Sequence, residues 1–148
     1  MKVAIGSKIV EGPWGGGNLF LINLKNYLLK NKVEVVFDLK DDDIDVILYT
    51  DPRYSIGSTS TITKNQINKY IRNKTKTVVV QRINECDERK NTKGVNKKYI
   101  KASLIADHIV FVSTWLKNLY VSQGIDKHKT SVILSGSNSD YFNTLDKE

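Results

Sequence analysis

Along this chain short apolar runs alternate with amphipathic segments, and that alternation restricts the fold more than any other feature. Lys2 to Ile5, Val33 to Phe37, Asp45 to Tyr49, Thr77 to Gln81, His108 to Val112 and Ser131 to Leu134 each have the length and apolar content of a strand. Helical spacing fills the gaps. Phe20, Leu24, Tyr27 and Leu28 share one side of the segment Asn18 to Lys30, and Val95, Tyr99, Ala102 and Ala106 share one side of another. The alternation predicts an α/β protein: a Rossmann-like doubly wound sheet of about six mainly parallel strands, with right-handed crossovers and helices on both faces.

Local signals mark the boundaries. Thr63 and Gln66 form a T-x-x-Q capping box at the start of a helix whose buried side carries Ile67, Tyr70 and Ile71. Ser113 is placed to cap a helix from Thr114 to Gln123, and Gly124 stands where a left-handed C-terminal cap is expected. Asp51 to Ile62 is rich in Pro, Gly, Ser and Thr and reads as a loop leaving the third strand, while Arg82 to Lys93 reads as a polar loop after the fourth. The triplet Asp41-Asp42-Asp43 reads as a solvated turn, because no calcium-loop pattern surrounds it.

The 148 residues, 40% apolar and 26% charged, suit one domain of ordinary size. The expected layout is a Rossmann-like domain over residues 1–142, followed at 143–148 by a tail or the start of an interdomain linker. No run of eighteen apolar residues occurs, and the opening apolar stretch is too short for a secretory signal, so the expected compartment is the cytoplasm. Cys86 is the only cysteine, which excludes an internal disulfide framework and argues against a structural zinc site; no metal site is assigned. His108, inside an apolar run, reads as a hydrogen-bonded structural histidine. The net charge of +7 favours anionic partners, whether a nucleotide or a membrane surface. Its basic residues are scattered and not interleaved with aromatics, so no nucleic-acid module is expected.

In an open parallel sheet, ligands bind beyond the carboxyl ends of the strands. After the first strand, Gly15, Gly16, Gly17 and Asn18 bring bare backbone to a helix N-terminus, where the amides and the helix dipole favour an anion. After the fourth, Arg82 is placed to turn a guanidinium toward a diphosphate or a carboxylate. A nicotinamide fingerprint fits poorly, because Phe20 takes the third glycine position and a long loop separates Gly6 from Gly17. A Walker lysine is missing too.

Three blocks in order along the chain resemble the retaining glycosyltransferases of family 4, which have the GT-B fold. They are Gly15-Gly16-Gly17-Asn18-Leu19; Arg82-Ile83-Asn84 with Asp87 and Arg89; and Ala106 to Ser113, continued through Gly124 to Ser131-Val132-Ile133-Leu134-Ser135-Gly136 and Asp140-Tyr141-Phe142. Ser135 departs from the asparagine usual before that glycine, and residues 137–139 lengthen the last block.

The resemblance implies the N-terminal, acceptor-side half of an enzyme that transfers a sugar from a nucleotide-diphosphate sugar with retention. It implies binding roles for Gly15, Gly16, Gly17, Asn18, Arg82, Asn84, Asp87, Arg89, Ser113 and Trp115, but names no catalytic residue: Glu85, Asp87 and Glu88 are not promoted to that role. No cofactor is expected on this domain alone. The expected partners are a C-terminal donor-binding domain or separate donor subunit, and an acceptor that is a glycan, a lipid or a small molecule; peripheral contact with a membrane stays open. A non-catalytic nucleotide- or glycan-binding module is the alternative, ahead of a Rossmann oxidoreductase or methyltransferase.

Overall fold

The computed structural model describes residues 1–55, 58–74 and 76–136. The sequence-predicted end of the domain at 142, the block Asp140-Tyr141-Phe142 and the tail lie outside the described residues. Six strands form one sheet: β1 (Lys2–Ile5), β2 (Glu34–Val36), β3 (Val46–Tyr49), β4 (Val78–Ile83), β5 (His108–Phe111) and β6 (Thr130–Val132). Their spatial order is β2-β1-β3-β4-β5-β6, and all five pairings are parallel. The helices are α1 (Gly16–Lys30), α2 (Lys64–Asn73), α3 (Asp87–Lys90), α4 (Val95–Ser103) and α5 (Thr114–Ser122). The expected doubly wound α/β fold is therefore present, with every strand pair parallel.

Its two faces are covered unequally. Helices α2, α4 and α5 bury Ile67, Tyr99, Leu116 and Tyr120 against Ala4, Ile47, Val79, Ile109 and Phe111 on one face. On the other, α1 packs Leu21, Phe20, Leu24 and Leu28 over Val3, Ile5, Val35, Val46 and Leu48, which belong to β1, β2 and β3 only. Adjacent residues of β4 show the result: Val79 is fully buried, whereas Val78 is 43% exposed. Val78→Thr is therefore expected to change stability by less than about 0.5 kcal/mol. Val79→Ala should cost about 2 kcal/mol, and urea denaturation of both variants measures the contrast.

The capping box at α2 forms as expected: Thr63 Oγ1 accepts from the Gln66 amide and Gln66 Oε1 accepts from the Thr63 amide. Ser113 caps α5 through the Leu116 amide, and Gly124 has a φ of 107°. Two expectations need correction. Strand β4 runs on to Ile83, so Arg82 is a strand residue, because Gln81 and Arg82 still pair with Ile109 and Val110. The polar loop that follows contains α3. The acidic triplet is a largely exposed turn, as expected, and Asp41 and Asp43 also pair with Lys2.

That triplet lies in the crossover from β2 to β3, residues 37–45, which has no helix. Lys2 replaces helical hydrogen bonding as its anchor. The Lys2 Nζ lies 2.8 Å from Asp41, 2.8 Å from Asp43 and 3.1 Å from Glu34. These hydrogen bonds, Asp41 and Asp43 foremost, hold the lysine above its ordinary pKa, and Lys2 in turn holds the Asp43 carboxyl below the usual range. Tyr70 completes the anchor, its hydroxyl 2.9 Å from the Asp41 carbonyl oxygen and 3.1 Å from the Ile44 amide.

Candidate functional site

The strand order reverses between β1 and β3, the position at which a doubly wound sheet opens a crevice for ligands. The loops leaving these two strands are tied together. Ser7 Oγ and Thr50 Oγ1 are 2.7 Å apart, the Lys8 amide donates to the Thr59 carbonyl at 2.9 Å, and Ser60 Oγ donates to the Asp51 carbonyl at 2.9 Å. Gly6 allows the close approach, since a Cβ there would stand 3.2 Å from the Leu48 carbonyl oxygen. An open cleft of about 1570 Å³ lies above this junction and extends along α1 and across the ends of β4 to β6.

The glycine loop forms one lip. Gly15 has a φ of 90°, a left-handed conformation that other residues adopt only with strain. Gly16 and Gly17 have ordinary backbone, and a Cβ at either would meet nothing within 4 Å, so the fold itself does not demand glycine there. No side chain caps the first turn of α1, and no acidic residue lies in it. Its amides thus face the cleft with their partial positive charge unopposed. Asn18 is buried and pins the loop, accepting from the Val10 amide at 2.9 Å and donating to the Val10 carbonyl at 2.8 Å.

Arg82 comes up from β4 into the same cleft, its guanidinium carbon 3.8 Å from the centroid of the Phe20 ring. Burial lowers its pKa, yet a guanidinium stays protonated throughout the physiological range. Beside it lies an ion network. Arg53 bridges Asp51 at 2.9 Å and Glu85 at 2.7 Å, and Lys90 reaches the other oxygen of Glu85 at 2.7 Å. Burial pushes the Glu85 carboxyl up, but the Lys90 and Arg53 cations outweigh it and hold the group below the usual carboxylate range. The hydrogen bond to Asp51 raises the pKa of Arg53 further.

The sequence-predicted residues divide into two groups. Gly15, Gly16, Gly17, Asn18, Arg82, Asn84 and Arg89 line the cleft together. Asp87, Ser113 and Trp115 do not. The Asp87 carboxylate is spent on the start of α4, accepting from the amides of Gly94, Val95 and Asn96 and from the Thr92 hydroxyl, at 2.9 to 3.1 Å. Desolvation opposes ionisation of Asp87, and these hydrogen bonds overcome it and lower the pKa. Ser113 serves α5 as a cap, and Trp115 is 56% exposed away from the cleft lining.

Sequence reasoning missed Lys8, Asp51 and Arg53 as cleft residues; Glu85 and Lys90 fall in the segment after the fourth strand that it marked, without a role of their own. Asp51 and Arg53 follow directly on β3, so their position was a usable signal; what the sequence lacks is the strand order that seats β3 between β1 and β4. Among the described residues no cluster of three or more His, Cys, Asp or Glu is arranged to hold a metal ion, and no helix is long and apolar enough to cross a membrane. No family model matches the chain, and neither does any curated protein.

Proposed function

We propose that this domain forms the acceptor-side wall of a retaining glycosyltransferase that uses a nucleotide-diphosphate sugar. The observation that carries the reading is the uncapped, carboxylate-free N-terminus of α1, whose glycines leave room for close approach at the crevice between β1 and β3. When a glycosyl diphosphate breaks, negative charge grows on the phosphate oxygen and positive character on the sugar ring. Fixed amides at Gly16 and Gly17 stabilise the first charge more in the transition state than in the bound substrate. A donor-binding domain or subunit supplies the opposite wall, so this domain alone binds the diphosphate weakly and transfers no sugar.

Amide NMR during titration with uridine diphosphate tests this. Expected are shifts confined to Gly15 through Leu19 and the cleft floor, with a Kd near ~1 mM, about −4 kcal/mol. Shifts at the same amides with a nicotinamide dinucleotide but not with the diphosphate would sink the reading in favour of an oxidoreductase. Micromolar binding with no second chain present would point to the self-sufficient, non-catalytic module.

A further inference from the structure

Among the described residues, the charges lining the cleft do not balance. Both of its carboxylates, Asp51 and Glu85, are engaged by Arg53 and Lys90. Among the described residues, Lys8, Arg82 and Arg89 then have no acidic group within salt-bridge distance. Lys8 and Arg89 are exposed and solvated, whereas Arg82 is half-buried. The Phe20 ring centroid lies 3.8 Å from its guanidinium carbon, and its side chain donates no hydrogen bond to the described residues. Its nitrogens open on the cleft, so this arginine is free to take an anion as a charge-assisted pair. The position does not require an arginine, since Val80 and Val110 neighbour Arg82 on the same sheet face and a neutral side chain would fit among them.

The place of this guanidinium differs from that of the α1 amides. Phe20 lies three residues beyond Gly17, roughly 5 Å down the helix axis at ~1.5 Å per residue. Arg82 therefore stands on the floor beside the helix, and the free amides stand at its end. A diphosphate on the amides leaves the guanidinium's edge open to a second anion.

From this arrangement we infer that the second substrate of the cleft is anionic, a sugar phosphate or a sugar acid, whose charged group is held edge-on by Arg82 against Phe20. The inference rests on the transferase reading for its assignment to an acceptor. The two anionic groups share one chemistry, bidentate acceptance from a guanidinium, and separate probes distinguish them.

The test is a titration with glucose 1-phosphate, glucuronate and neutral glucose, followed by NMR at the Phe20 amide with uridine diphosphate already present to occupy the helix end. It uses the wild type, R82Q and R82K, each first shown to keep the wild-type spectrum away from the cleft. Expected is binding of one or both anionic sugars but not glucose, weakened at least about tenfold by R82Q and partly restored by R82K. Uridine diphosphate should bind all three proteins alike. Equal binding of the anionic sugars by wild type and R82Q overturns the inference while leaving the transferase reading in place. A parallel tenfold loss of uridine diphosphate in R82Q also overturns it, by assigning Arg82 to the donor. No diphosphate shift at Gly15 to Leu19 in the wild type overturns the underlying reading instead.

Discussion

Replacing Tyr120 with alanine is expected to cost about 3–5 kcal/mol, the range for deleting a large aromatic from a packed interior. Tyr120 is fully buried, with ring centroids 6.3 Å from Tyr99 and 5.7 Å from Phe111, so α5, α4 and β5 all lose contact at once. Its hydroxyl has a second duty. It lies 2.9 Å from the Glu85 carbonyl oxygen and 3.2 Å from Asn96 Oδ1, and its one hydrogen is shared between them. Tyr120→Phe removes only that link, for about 1–2 kcal/mol, and frees the Glu85 segment that borders the cleft. Urea denaturation separates the packing cost from the hydrogen-bond cost. A loss below 1 kcal/mol in the alanine variant would show that the core closes around the vacancy.

The other large effect is expected at Arg53. Converting it to methionine leaves Asp51 without its cation and Glu85 with Lys90 alone. Breaking one side of a buried pair costs about 3–5 kcal/mol. Arg53 is 31% exposed and Glu85 only 8%, which brings the expectation down to roughly 2–3 kcal/mol. The pH dependence follows from Glu85, whose folded pKa lies below the ordinary value. A depressed carboxylate contributes stability that is present above its unfolded pKa and lost as the pH falls through the folded one. In the methionine variant the Glu85 pKa rises and that contribution shrinks. The gap between the two proteins should thus be widest near neutral pH and close in acid, as stability curves from pH 7 to pH 3 would show. A gap that does not change with pH would rule out the ion network as its source.

The parts of this molecule that could be read from its residues are those decided locally. The Thr63 and Gln66 box, the Ser113 cap and the Gly124 stop each depend on a few neighbouring positions, and each is in place. The apolar stripe Val95, Tyr99, Ala102 and Ala106 is buried for the same reason. Where partners come from far along the chain, the reading fell short. Nothing near Asp41 and Asp43 points to Lys2, which β1 brings beneath them, and Asp87 looks like a ligand until the start of α4 folds over it. Arg82 belongs to a strand because β5 extends far enough to pair with it. The glycine loop was found from composition alone, yet its facing wall, Asp51 and Arg53, depends on strand order, which no short window encodes.

Helix α1 carries two obligations at once. It is the sole helix packed on its face of the sheet, among the described residues, and it also presents the amides and the Phe20 ring that border the cleft. Occupancy and folding therefore draw on the same fifteen residues. A ligand resting on this helix holds down the cover of β1, β2 and β3, and at ten times its Kd it adds about 1.4 kcal/mol to stability. Melting temperature becomes a direct gauge of what the cleft accepts, and a panel of small anions can be ranked by heat alone before any reaction is known.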